Sequence, residues 1–310
     1  MSKEDKLRIL SVPGDLSKEM FGIEKQGFNG YQILIDVIYH NGSLVNGIYS
    51  YEDHKPANVL GTVEILKLAT GFKLKPVHYI STIGVLGHPK TNEIMKENIK
   101  FEDNYFDTIR GGYEKSKWVA EQIIEKASFK GVPVTIFRPG LISSDSILGS
   151  SNSIDWFIRF LVGITKMKKV PTGNSSIEMS PVDFVSKAIV HITTNQREES
   201  FKLMKFHLLN LNESNFTIND LYKSIESYGI KLEYLKPSEW FELMKKELPK
   251  ENLLYPSLST FQFGFPNMNE KIFDVENTKK LISNSSDVIC PNLSEKIIHN
   301  TLKWLENKKI

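Results

Sequence analysis

The chain has 310 residues, 40% of them hydrophobic and 25% charged, and a formal net charge of +2. This balance suits a soluble globular protein and gives no reason to expect a nucleic-acid or membrane partner; the "KMKK" run at 166–169 reads as solvated surface. The single cysteine, Cys290, excludes an internal disulfide and a cysteine-built zinc site, and the charged start "MSKEDKLRIL" excludes a signal peptide, so a cytoplasmic protein without a metal is expected.

In chain order, "LRILSV" (7–12) reads as a strand ending at Pro13 and Gly14, and "LIDVIYH" (34–40) as a nearly continuous apolar strand. "PANVLGTVEILKLAT" (56–70) reads as a helix with Pro56 in its first turn. "PVHYIST" (76–82) is a third strand, and "VPVTIFR" (132–138) a fourth. Apolar strands alternating with helices predict an α/β fold: a Rossmann-like parallel sheet with helices on both faces. From about residue 196 the pattern changes. A strand at 206–211 and helices at 218–228, 237–247 and 293–306 suggest a mostly helical second region, so the expected division is 1–195 and 196–310.

Between the third and fourth strands lies "GGYEKSKWVAEQII" (111–124), with Tyr113 and Lys117 four residues apart. Residues i and i+4 share a helix face, so this pair can address one site. Trp118, Val119, Ile123 and Ile124 form the expected apolar stripe, with Glu121 elsewhere. A second Tyr-x-x-x-Lys, Tyr51 and Lys55, is followed by Pro56. A residue before proline is pushed out of the α region, so Tyr51 and Lys55 are not expected one turn apart on a helix. Thr82 ends the third strand; its plain reading is a local backbone cap. His40 and His78 are read as packed or hydrogen-bonded.

In this context the sequence resembles the extended branch of the short-chain dehydrogenase/reductases, and more narrowly the thioester reductase domains of polyketide synthases, nonribosomal peptide synthetases and carboxylic acid reductases. The matching stretches are "GDLS" (14–17), "DVIYHNGSLVN" (36–46), "ANVLGTVEILKLA" (57–69), "HYISTIGV" (78–85), "GGYEKSKWVAEQ" (111–122) and "FRPGLI" (137–142). The resemblance implies NADPH-dependent reduction of an acyl thioester on a phosphopantetheine carrier protein to an aldehyde, with an alcohol after a second round. It implies Thr82, Tyr113 and Lys117 as catalytic residues. Tyr113 donates a proton, Thr82 holds the carbonyl oxygen, and the Lys117 ammonium lowers the pKa of Tyr113 and binds the nicotinamide ribose. It implies cofactor contacts from Asp15 and Leu16 at adenine, from Asn41, Gly42 and Ser43 after the second strand, from Pro139 and Gly140 beside the nicotinamide, and support from Asn58. No glycine-rich dinucleotide fingerprint follows an early strand, so the expectation is a domain lacking its first strand–turn–helix unit. Two alternatives stay open: a non-catalytic remnant or binding module, and another extended short-chain reductase or epimerase acting on a free small molecule.

Overall fold

The computed structural model describes residues 3–87, 94–102, 104–175, 177–195, 203–211, 216–249, 252, 254–255 and 273–310. The change of character expected at residue 196 lies outside them. Two compact units emerge: Met1–Tyr79 with Arg110–Val134, and Ile80–Ile109 with Thr135–Ile310. The fold is a parallel sheet with helices on both sides, in which β1 (Ile38–His40) pairs with β2 (Val77–Ile80) and β3 (Val134–Pro139) with β7 (Met204–Leu208). Ile38 is opposite Val77 in the first pair, and Thr135 is opposite Met204 in the last.

In the first unit, α1 (Lys3–Leu7) and α2 (Lys25–Leu34) precede β1. The strand expected at 7–12 is absent. Arg8 and Ile9 instead donate back to Asp5 and Lys6 carbonyls, and Leu7, Ile9, Leu10 and Val12 are exposed. β-propensity describes a fit to a neighbouring strand, and no described strand pairs with this segment. After β1, Ser50 and Asp53 form a reciprocal capping box that starts α3 (Tyr51–His54).

A π turn, Lys55–Leu60, joins α3 to α4 (Gly61–Thr70) without a break. Lys55 is right-handed helical despite Pro56, and its N–H donates to Tyr51 O. Gly61 N–H then reaches back five residues to Pro56 O. Tyr51 and Lys55 therefore do sit one turn apart, with Lys55 Nζ 5.9 Å from the Tyr51 ring centre, contrary to expectation. The wider turn accommodates a proline ring that a regular α-helix would reject.

α6 (Gly112–Phe129) follows α5 (Tyr105–Thr108). A Cβ on Gly112 would lie 2.3 Å from Tyr49 O, so only glycine lets the helix start against the 49–51 backbone. The buried positions of α6 are Ser116, Lys117, Ala120, Glu121 and Ile124. The expected apolar stripe was therefore misplaced: Glu121 is fully buried, while Trp118, Val119 and Ile123 are only partly so. Lys117 and Glu121, one turn apart, go inside together.

In the second unit, β4 (Ile142–Ser143) pairs with β6 (Ser180–Pro181), and β5 (Lys169–Pro171) with β8 (Glu233–Leu235). One apolar core gathers α7 (Trp156–Met167), α9 (Ile218–Ser227), α10 (Pro237–Glu247) and α12 (Glu295–Lys308) around Phe157, Leu161, Leu221, Trp240 and Ile298. A second core packs Phe137 and Phe206 against α8 (Val182–Asn195), α11 (Glu276–Ile282) and Cys290. No helix among the described residues is long and apolar enough to cross a membrane.

Candidate active site

Tyr113 opens α6 and Lys117 follows one turn later, as the spacing requires. The Ser43 hydroxyl, from the loop after β1, hydrogen-bonds the Tyr113 phenol and pulls its titration down. Burial outweighs it and pushes Tyr113 up to about 12. The expected downward pull by Lys117 is not what the site shows. Burial pushes Lys117 itself down to about 7, against the attraction of Glu121, so near neutrality its charge is only partial. Its Nζ lies 4.2 Å from the centre of the Tyr79 ring.

The loop after β1 is held by the π turn. Asn58 is buried; its Oδ1 accepts from Leu44 N–H at 2.7 Å, and its Nδ2 donates to Leu44 O at 3.0 Å. The same Nδ2 donates to Ser116 Oγ at 2.8 Å, and Ser116 passes its hydrogen to Tyr113 O at 2.7 Å. Asn58 thus ties the loop carrying Asn41, Gly42 and Ser43 to the helix carrying Tyr113. One turn earlier, His54 Nε2 donates to Asn46 O at 2.9 Å, and its ring meets Tyr113 edge-on, 5.8 Å between centres. Thr62 gives its hydrogen to Asn58 O, so His40 Nε2 must donate to Thr62 Oγ1 at 2.9 Å. Burial holds His40 down to about 3 and therefore neutral. His78 packs against Tyr39, 4.8 Å between ring centres.

Asp15 closes a tight turn: its Oδ1 accepts from Ser17 N–H and Ser17 Oγ, which hold the exposed carboxyl below its usual range. Leu16 fills the space beside two glycines. A Cβ on Gly42 would come within 2.8 Å of Leu16 Cδ1, and one on Gly61 within 2.6 Å of Leu16 O. Beside them opens an apolar cavity of about 340 Å³, lined by Val12, Leu16, Phe21, Phe28, Tyr31 and Ile35.

In the second unit, Thr82 follows β2 in extended conformation, and its Oγ1 accepts from Gly84 N–H at 3.2 Å. The hydroxyl hydrogen is left for another acceptor. Pro139 ends β3, and Gly140 N–H donates to Leu208 O. A Cβ on Gly140 would meet Leu209 Cδ2 at 2.6 Å.

Sequence reasoning missed Ser116, His54 and Tyr79. Ser116 stands inside the Tyr-to-Lys segment. His54 and Asn58 are four apart on the helical run around the π turn.

An NAD-binding family profile described as male sterility protein matches residues 1–189, a span that holds every site residue named from the sequence. The chain belongs to this family. Two curated relatives are much longer proteins. A nonribosomal peptide synthetase of Aspergillus flavus is 34% identical over 264 residues, 82% of this chain and 25% of that protein. L-2-aminoadipate reductase of Saccharomyces cerevisiae is 31% identical over 260 residues, 80% of this chain and 18% of that one. The chain thus spans a small part of the curated relatives it matches. A crystal structure of the terminal R domain from the myxalamid PKS-NRPS biosynthetic pathway is 32% identical, with a TM-score of 0.86, covering all of this chain and 77% of that one.

Proposed function

We propose that this chain reduces an acyl thioester presented by a carrier protein to the aldehyde, with NADPH as reductant, in the cytoplasm, and that a second round can give the alcohol. The observation that carries this reading is the Ser43–Tyr113–Lys117 arrangement at the start of α6, in a chain similar over its whole length to a terminal R domain.

The residues fit a dinucleotide on the adenosine and ribose side. Asp15 and Leu16 border an apolar cavity suited to a flat base, and the 41–43 loop, thinned by Gly42 and fixed by Asn58, can bring backbone close to a ligand. Lys117 would hold the ribose, and Pro139 with Gly140 would border the nicotinamide. When bound, the cofactor supplies hydride to the thioester carbonyl carbon. Tyr113 gives its proton to the carbonyl oxygen, and the resulting hemithioacetal then gives up that proton as its C–S bond breaks, releasing the pantetheine thiol and the aldehyde. Burial keeps the Tyr113 phenol protonated at neutral pH, so it has a hydrogen to give. The Thr82 hydroxyl, its oxygen already occupied by Gly84 N–H, keeps its hydrogen for an acceptor, in keeping with the oxygen-holding role that the resemblance implies.

The test is NADPH oxidation with an acyl-pantetheine thioester. Tyr113→Phe should reduce the rate on the order of 10²-fold or more, while Tyr51→Phe, altering the other Tyr-x-x-x-Lys, should leave it unchanged. Equal rates for Tyr113→Phe and wild type would remove Tyr113 from the chemistry. Reduction of free but not pantetheine-linked substrates would replace the thioester reading with another short-chain reductase.

A further inference from the structure

We propose that Tyr79 is a positioning residue for Lys117: the face of its ring holds the ammonium and keeps it a cation beside the site. This rests on the role given to Lys117 above. Tyr79 sits on β2 and is fully buried, and Lys117 is 2% exposed, so water can do little to solvate the ammonium. Its Nζ lies 4.2 Å from the centre of the Tyr79 ring, well inside the range at which a ring's negative face attracts a cation.

Three titratable groups face this pair. On α6, Glu121 attracts Lys117 from the next turn, and Tyr113, protonated at neutral pH, adds no charge. From β1, His40 packs on the same Tyr79 ring, 5.3 Å between centres. His40 already uses Nε2 to donate to Thr62, and burial keeps it neutral, so it neither repels the ammonium nor relieves it. Glu121 along the helix and the ring across it both attract the ammonium. A plain core aromatic would serve packing equally well with any ring electronics; a cation-holding ring would not.

The experiment separates those two roles. The full chain is labelled with 13C at lysine Cε, and the Lys117 signal, assigned by its loss in Lys117→Met, is followed against pH. In wild type it should titrate near 7. Tyr79→Phe keeps the ring face and should stay within about half a pH unit, whereas pentafluorophenylalanine at 79, nearly the same size with its ring charge reversed, should lower the titration by roughly one unit. A difluorinated ring, the milder replacement should the first not fold, should give a smaller shift of the same sign. An unchanged or raised titration with a fluorinated ring overturns the inference. Turnover with NADPH and an acyl-pantetheine thioester is measured in parallel. Absence of turnover in wild type, with the titrations as expected, would refute the proposed function and leave the role of Tyr79 standing.

Discussion

Each unit buries a charged centre, and the two are built differently. In the second unit, Glu97 is fully buried. Its Oε1 accepts from His207 N–H at 2.9 Å, Thr278 N–H at 3.3 Å and Thr278 Oγ1 at 2.9 Å, and its Oε2 from Asn277 N–H at 2.6 Å. Arg138 donates from Nη1 to Glu97 O and to His207 Nε2, the latter free to accept because Nδ1 donates to Asp274 O. Burial raises the Glu97 carboxyl and these donors oppose the rise. In the first unit, Lys117 meets a ring face and the attraction of a carboxylate one turn away, and its titration falls to about 7. A charge saturated with directed hydrogen bonds pins chain segments together. A charge held by softer partners changes state within reach of neutral pH, which suits a site of proton chemistry.

Lys117→Met should sharpen that contrast most. Lys117 has a folded value of about 7 against a reference of 10.5, so the unfolded chain binds the proton more readily than the folded one. Wild-type stability should therefore rise with pH from about 7 to about 10.5, and the cost of the buried ammonium should be fully present below 7. Lys117→Met should be more stable than wild type at pH 7 by on the order of 4 kcal/mol, with the gap closing as pH approaches the unfolded value. Urea unfolding at several pH values measures this. A gap that stays constant across pH would mean that Lys117 is a full cation in the fold.

Glu97→Ala comes next, and with the opposite sign. It strips acceptors from three backbone N–H groups and a hydroxyl. A loss of about 3 kcal/mol is expected, read from the denaturant midpoint. A change under roughly 1 kcal/mol would show that the network does not pin the second unit.

Asn58→Ala should cost about 2 kcal/mol and speed amide exchange at Leu44, since Leu44 N–H and O both lose their partner. Ser116→Ala, which removes a single bridge to Tyr113 O, should cost about 1 kcal/mol and leave Leu44 exchange slow. Fast exchange in both variants would mean that the loop and α6 move as one body, not as two parts joined by Asn58.

Much of the layout was readable in advance. β2 falls within the expected 76–82, β3 nearly coincides with 132–138, and α10 matches 237–247. Tyr113 and Lys117 share a helix because no proline or glycine interrupts the run. The misreadings have identifiable causes. Pro56 marked a break that the π turn absorbed, and Glu121, charged and therefore assigned to the surface, is buried together with Lys117.

Helix spacing and strand hydrophobicity act over a few residues, so the sequence by itself determined the strands within 76–82 and near 132–138 and the shared face of Tyr113 and Lys117. Pairing, burial and charge depend on segments far apart in the chain, and only the tertiary structure decided them. It left 7–12 unpaired with any described strand, set Ser43 on the Tyr113 phenol and the Tyr79 ring over Lys117, and reversed the expected shift of Tyr113. The reversal has a simple physical basis. Desolvation acts on both groups at once: it raises the phenol and weakens the ammonium that was to lower it.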